Sequence, residues 1–200
     1  MKSVSRITAL VLVIALSCSA YAQGTAPEVL VKSTVDEVLS VIKQSKDGKT
    51  LRQLAEQKVL PRFDFRQMTQ LAVGTAWRKA DPQQQKALED RFRLLLVNTY
   101  TSSLRLATGR DRTVEVKPVQ KTARNEVTVK TLVKEAGRPP IAINYRMESQ
   151  PGGWKVFDVV VEGVSLVTTY RGSFAEEVRR SGIDGLIRVL DEKNRSLAQS

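Results

Sequence analysis

The sequence has no histidine and a single cysteine, Cys18, among its 200 residues. Without histidine, the chain cannot build a Ser-His-Asp triad, a Cys-His pair or a His-ligated zinc or haem site. One cysteine provides neither a cysteine-cluster metal site nor an internal disulfide. The sequence also lacks a G-x-S-x-G motif, a phosphate loop and a paired acidic metal motif. We therefore assign no catalytic residue and no metal ligand, and expect no cofactor.

Aromatic residues are scarce at 6%, whereas Lys and Arg number 32 against 21 Asp and Glu, a net charge of +11. The basic residues are spread along the chain, without the run interleaved with aromatics that a nucleic-acid platform requires. We expect no nucleic-acid partner. A basic surface can instead attract anionic membranes and acidic proteins. The 42% hydrophobic and 26% charged content is typical of a folded globular protein.

The first 22 residues have the pattern of a cleaved signal peptide. Lys2 and Arg6 precede the apolar run from Ile7 to Leu16, and Ala20-Tyr21-Ala22 matches a signal peptidase site. This run is about ten residues long, too short for a bilayer core that needs roughly 20. We expect cleavage after Ala22, export to the periplasm, and a single domain over residues 23–200. The alternative is a lipoprotein signal that uses Cys18.

The first half of the mature chain has helical signals. Thr25 to Glu28 reads as a capping box with Pro27 inside it, and another begins at Asp64. The first is followed by apolar residues at helical spacing: Val31, Val35, Val38 and Ile42. The longest helix is predicted from Asp81 to about residue 108. Its apolar face is wider than a surface helix needs, so it either forms the centre of a core or also lines a cavity.

From Arg112 the apolar period changes to two, which predicts strands. Alternating segments cover 114–116, 127–133 and 141–147, and the segment 154–161 is apolar on both faces. Short connections predict an antiparallel meander, and a C-terminal helical region is interrupted at Gly182. The expected fold is α+β, with helices packed on one side of a strongly bent four-stranded antiparallel sheet.

The long helix, the strand 154–161 and the helix with Leu166 and Tyr170 have more apolar surface than one packing plane uses. An aliphatic pocket between them suits alkyl chains. Burial of a methylene contributes about 0.8 kcal/mol, so exposing two acyl tails of roughly 28 methylenes costs on the order of 20 kcal/mol. A soluble carrier would remove most of this cost.

Several motifs of the C-terminal half resemble the MlaC family, also called toluene-tolerance proteins. They are Gly153-Trp-Lys-Val-Phe-Asp158, Glu162-Gly-Val-Ser165, Thr168-Thr-Tyr170 and Gly182-Ile-Asp-Gly-Leu186, with Phe63-Asp64-Phe65 and Trp77 agreeing upstream. The resemblance implies an NTF2-like α+β cone with an apolar cavity between helices and sheet. It also implies a periplasmic carrier that shuttles glycerophospholipid to maintain outer-membrane lipid asymmetry. The implied partners are an outer-membrane lipoprotein–porin complex and an inner-membrane ABC transporter with a ring-forming lipid-binding subunit.

We therefore predict a monomeric, non-enzymatic protein with phospholipid as cargo. Strand and helix periodicity selects the residues expected to face the acyl tails: Val97, Tyr100, Thr101, Leu104, Val129, Thr131, Ile143, Tyr145, Val159, Val161, Val164, Leu166, Val167 and Tyr170. Two alternatives remain open. An NTF2-like isomerase or lyase acting on a small apolar substrate would need Asp158 beside Tyr145 as an acid–base pair. A protein-binding adaptor without ligand would have a filled core.

Overall fold

The computed structural model describes residues 25–44, 47–106 and 111–199, with residues 101–106 described as helical backbone only. The predicted signal peptide, residues 1–22, lies outside the described residues. So do the side chains of Thr101 and Leu104, two of the residues expected to contact acyl tails.

The helices begin and end close to where the sequence signals place them. The second helix continues through a π turn at Ala55–Val59 and a 3-10 turn at Leu60–Arg62, and another 3-10 turn, Gly74–Lys79, follows the third. The bounds are α1 Pro27–Gln44, α2 Gly48–Leu54, α3 Phe65–Val73, α4 Pro82–Leu106 and α5 Leu166–Ala198.

Side-chain caps explain these starting points. Asp64 accepts a hydrogen bond from the Gln67 amide at 2.8 Å at the start of α3. At the start of α4, Asp81 and Gln84 each bond the other's backbone amide, at 2.8 and 3.1 Å. Both satisfy amides that the first turn of a helix leaves unpaired. The predicted caps at Asp64 and Asp81 are confirmed.

The strands form one antiparallel sheet in the order β1-β3-β4-β5-β6, with β2 also paired to β3. Within the described residues it has six strands where the sequence predicted four, because two are short pairings of two residues each. The predicted α+β fold of helices on an antiparallel sheet is confirmed. The bounds are β1 Arg112–Val116, β2 Gln120–Lys121, β3 Glu126–Glu135, β4 Ile141–Gln150, β5 Gly153–Val161 and β6 Val164–Ser165.

Two separate apolar cores hold the helices and the sheet together. The larger joins α3, α4 and α5, with Phe92 at its centre. The smaller packs the start of α1, at Leu30 and Val31, on the inner face of the sheet, including Val129 and Met147. Residues of both cores line a space that remains between α1, α4 and the sheet.

The last helix changes direction at Gly182, as the sequence predicted. Its backbone has φ 72° and ψ −175°, a conformation that is not helical and that glycine adopts most readily. This kink brings Leu186 and Leu190 of the second half into the same core as Phe174 of the first half. α5 therefore covers the outer side of α4 with both of its halves.

Candidate functional site

A cavity of about 470 Å³ lies between the helices and the sheet. Its walls come from α1, the turns after α2, the start of α3, the middle of α4, and β1, β3, β4 and β5. Aliphatic and aromatic side chains form nearly all of the surface. The volume lies within the range of pockets that bind small organic ligands.

Helix α1 supplies an entire wall of this cavity, which the sequence analysis did not anticipate. The helical spacing of apolar residues in 31–42 was visible, but the same spacing also suits a helix packed on protein. The spacing therefore predicts a helix with one apolar face, but it does not predict whether that face packs on protein or lines a cavity. The residues of α1 at the cavity are Leu30, Val31, Thr34, Val35, Val38, Leu39 and Ile42.

Seven of the residues selected from periodicity lie together on the cavity wall. On β4 and β5 they alternate along each strand, and Tyr145 lies directly opposite Val159 in the register. These residues of the two strands share the face that lines the cavity, and a shift of one residue would place their neighbours there instead. The seven are Val97, Tyr100, Ile143, Tyr145, Val159, Val161 and Leu166.

Five other selected residues lie elsewhere. Val129 is fully buried in the smaller core under α1, and Thr131 is buried with its hydroxyl donating to the Ile143 carbonyl at 2.7 Å. Val167 and Tyr170 pack in the larger core, where Tyr170 contacts the rings of neighbouring aromatics. Val164, the first residue of β6, is 63% exposed. Periodicity gives the face of a residue, but neighbouring elements decide whether that face meets a cavity, a core or solvent.

Few polar groups reach the cavity, and the tyrosine hydroxyl groups in and beside it have raised pKa values. Burial raises the pKa of Tyr145 to about 12. Burial also raises the pKa of Tyr100 and that of Tyr170, whose hydroxyl groups are hydrogen-bonded to each other. None of these three tyrosines therefore changes charge near neutral pH.

The Asp158 carboxylate, proposed above as one half of an acid–base pair, faces away from Tyr145. Tyr145 lies opposite Val159 and Asp158 lies opposite Arg146, and adjacent strand residues point to opposite faces. The carboxylate instead accepts hydrogen bonds from the Ser165 hydroxyl at 2.7 Å and the Val167 amide at 3.2 Å. Its geometry is that of a buried anchor for the start of α5, and it offers no support for the isomerase alternative.

Across the part of the chain that the structure describes, no group of three acidic or cysteine side chains lies close enough to hold a metal ion. None of the described helices combines the length and apolar character needed to cross a bilayer.

An antiparallel sheet covered by helices, with an apolar cavity between the two layers, defines the class of this protein: an α+β fold whose cavity suits an apolar ligand. The sequence pattern of the MlaC protein family matches residues 32–192, and the chain belongs to that family. The predicted family membership is confirmed.

Two relatives and one solved structure are similar to this chain. Toluene tolerance protein ttg2D of Pseudomonas putida is 28% identical over 107 residues, 54% of this chain and about half, 49%, of that relative. The intermembrane phospholipid transport system binding protein MlaC of Haemophilus influenzae is 24% identical over 177 residues, 84% of this chain and 82% of its own length.

The solved structure is a phospholipid-binding protein from Ralstonia solanacearum in complex with a phospholipid. It superposes with a TM-score of 0.77 at 38% identity, covering 86% of this chain and 98% of its own.

Proposed function

We propose that this chain is a non-enzymatic carrier that binds the acyl chains of glycerophospholipid in the cavity between helices and sheet. The apolar cavity is the observation that carries this proposal. An apolar cavity of about 150 Å³ in another protein binds benzene. The present cavity, at about 470 Å³, is roughly three times larger and has room on the order of an acyl chain. The phospholipid bound to the Ralstonia solanacearum protein gives independent support.

The seven clustered residues, from Val97 to Leu166, are proposed to contact the acyl chains together with the inner face of α1. Transfer of methylenes from water to this surface stabilises the complex by about 0.8 kcal/mol each. The wall has little else to offer a polar ligand, so binding is expected to depend weakly on the head group. The same surface explains why an adaptor with a filled core is disfavoured.

The proposal extends to where the protein acts and between which complexes it carries lipid. The chain would be exported to the periplasm, and would shuttle lipid between an outer-membrane lipoprotein–porin complex and an inner-membrane ABC transporter with a ring-forming lipid-binding subunit. This traffic would maintain outer-membrane lipid asymmetry. Support comes from the family and from the Haemophilus influenzae relative, whose name assigns it to an intermembrane phospholipid transport system.

Intact-mass analysis of the exported protein tests the processing of its N-terminus: cleavage after Ala22 is expected, and an acylated Cys18 would contradict it.

The binding proposal is tested by organic extraction of the purified protein followed by mass spectrometry. Ile143→Trp fills cavity volume from the centre of β4. Ile141→Trp, two residues away on the same strand, is the matched control because Ile141 is 46% exposed and does not line the cavity.

We expect phospholipid in extracts of the wild type and the Ile141→Trp control, and several-fold less in Ile143→Trp, with all three showing the same circular dichroism. No phospholipid in the wild-type extract would refute lipid binding. Equal lipid in both variants would refute the assignment of the cavity.

A further inference from the structure

The hydroxyl group of Tyr145 is a polar group inside an apolar cavity. Tyr145 lies in the middle of β4, between Val129 of β3 and Val159 of β5. Its neighbours along the same face of β4, Ile143 and Met147, also line the cavity. The aromatic ring packs favourably on this apolar surface, whereas the polar hydroxyl group gains nothing from contact with aliphatic side chains.

The other polar groups of the wall already have partners or contact solvent. The Thr34 hydroxyl donates to the Leu30 carbonyl at 2.8 Å. Arg112 pairs with Glu135 at 2.9 Å, and the Tyr100 hydroxyl is bonded to that of Tyr170. Arg62 is exposed, so that water solvates its guanidinium.

The Tyr145 hydroxyl, in contrast, has no hydrogen-bond partner among the side chains of residues 25–44, 47–100 and 111–199 or the described backbone. Buried tyrosine hydroxyl groups normally find a partner, because leaving one unpaired is unfavourable. Burial raises its pKa to about 12, so the group retains its proton and is a donor at neutral pH. A ligand that enters the cavity can therefore supply an acceptor for this hydroxyl group.

We propose that the Tyr145 hydroxyl donates a hydrogen bond to the carbonyl oxygen at the head of a bound acyl chain, and so selects acyl esters over ether-linked chains. This inference rests on the proposed function. An alkyl chain offers no acceptor along its length, whereas its carbonyl group offers one at the end. Tyr145 lies four residues from the exposed Ile141, about 13 Å along the strand. The ester group would therefore lie well inside the exposed end of β4.

The test compares two lipids that differ only in this carbonyl. Lipid-stripped protein is mixed with vesicles containing equal amounts of dioleoyl phosphatidylglycerol and its dialkyl ether analogue, and the bound ratio is read by mass spectrometry. We expect the wild type to prefer the ester about fivefold, as the net effect of one hydrogen bond predicts. Tyr145→Phe should take both lipids equally.

Thr69→Val is the matched control, since it removes a buried hydroxyl group that donates to the Phe65 carbonyl at 2.6 Å and does not line the cavity. It should keep the fivefold ratio. Thermal unfolding of the lipid-stripped proteins tests for a structural role: Tyr145→Phe should melt at the wild-type temperature or above it, because the change removes no hydrogen bond to a described group of the protein.

A wild type without ester preference, or a Tyr145→Phe variant that keeps the preference, would overturn the assignment. If the wild type binds neither lipid, the proposed function fails, and this inference fails with it. Oleic acid in a competition arm identifies the source of the carbonyl. If it displaces the ester lipid from the wild type but not from Tyr145→Phe, the hydrogen bond is supported and its acceptor is a free fatty acid.

Discussion

At Asp158, the buried carboxylate illustrates how one polar side chain can fix the position of a helix. Its side chain is 2% exposed and connects β5 to the first turn of α5 through Ser165 and Val167. The nearby Arg146, at 3.6 Å, is 43% exposed and still contacts water. The hydrogen bonds to the start of the helix therefore dominate, and the ion pair adds little.

Asp158→Ala should lower the free energy of unfolding by about 2–3 kcal/mol, because it leaves the Val167 amide and the Ser165 hydroxyl without this acceptor. Urea denaturation measures the change. The matched control is Asp36→Ala, which removes an exposed i,i+4 pair with Lys32 and should change stability by less than about 0.5 kcal/mol. Equal effects from the two variants would contradict the anchoring role.

The raised pKa of Tyr145 should also make the stability of the fold depend on pH in the alkaline range. The folded state holds the pKa at about 12, above the ordinary value of 10, so the unfolded chain loses its proton first as the pH rises. Stability from this group is complete below pH 10 and decreases between pH 10 and 12, by about 2 kcal/mol. Between pH 9 and 11 the urea midpoint should therefore decrease more in the wild type than in Tyr145→Phe, which has no hydroxyl group to titrate. A parallel decrease in both proteins would argue against this origin.

Among the elements, α1 depends most on what fills the cavity. Its first turns pack on the sheet at Leu30 and Val31, whereas residues 35–42 face the cavity. Under the proposed function, bound acyl chains supply the apolar contacts that the second half of α1 does not obtain from protein.

Removal of lipid should therefore loosen α1 unevenly. We expect amide hydrogen exchange in residues 35–42 to accelerate at least tenfold on delipidation, while residues in the middle of α4 around Phe92, packed in the larger core, change little. Exchange measured by mass spectrometry on the lipid-bound and lipid-stripped protein gives the comparison. Uniform acceleration across both helices would indicate global destabilisation instead.

Helix α5 contains two glycines that should respond to substitution in opposite directions. Gly182 has a φ of 72°, which side chains rarely adopt, whereas Gly172 lies inside the helix. A methyl group at either position meets no described atom within 4 Å, so backbone conformation alone decides the outcome. Gly182→Ala should destabilise by about 1–3 kcal/mol, and Gly172→Ala should stabilise by about 0.5–1 kcal/mol. Thermal unfolding measures both, and the same sign for both would refute the explanation.

These elements also show how far sequence could predict the structure. Caps and turns depend on residues close together in the chain, so Asp64, Asp81 and Gly182 were identified correctly. The cavity depends on distant elements. The spacing of Val35 and Ile42 was visible, but the decision between core and cavity rests on how α1 sits above the sheet, which no local pattern contains. The same limit explains why Val129 had the expected face but a different environment.

At the scale of the whole molecule, the net positive charge should affect encounters with membranes and not the interior. It is +11 for the full sequence and 11 − 2 = +9 once Lys2 and Arg6 are removed with the predicted signal peptide. The cavity wall is apolar and its Arg112 is paired with Glu135, so salt has little to screen inside. On the surface, unlike charges attract over a Debye length of about 10 Å at 0.1 M salt and about 3 Å at 1 M. The salt dependence of lipid uptake therefore distinguishes the electrostatic attraction of the protein to the vesicle from the apolar binding of lipid in the cavity.

We expect the rate of lipid uptake from vesicles rich in phosphatidylglycerol to fall about tenfold as sodium chloride rises from 0.01 to 0.5 M, because a basic protein then loses its attraction to the anionic surface. The amount of lipid bound at equilibrium should stay nearly constant, since the cavity contacts are apolar. Vesicles of phosphatidylcholine, which carry no net charge, are the control and should show a flat rate. If salt lowers the equilibrium amount as strongly as the rate, charge contributes to holding the lipid, and the apolar cavity is not its principal binding site.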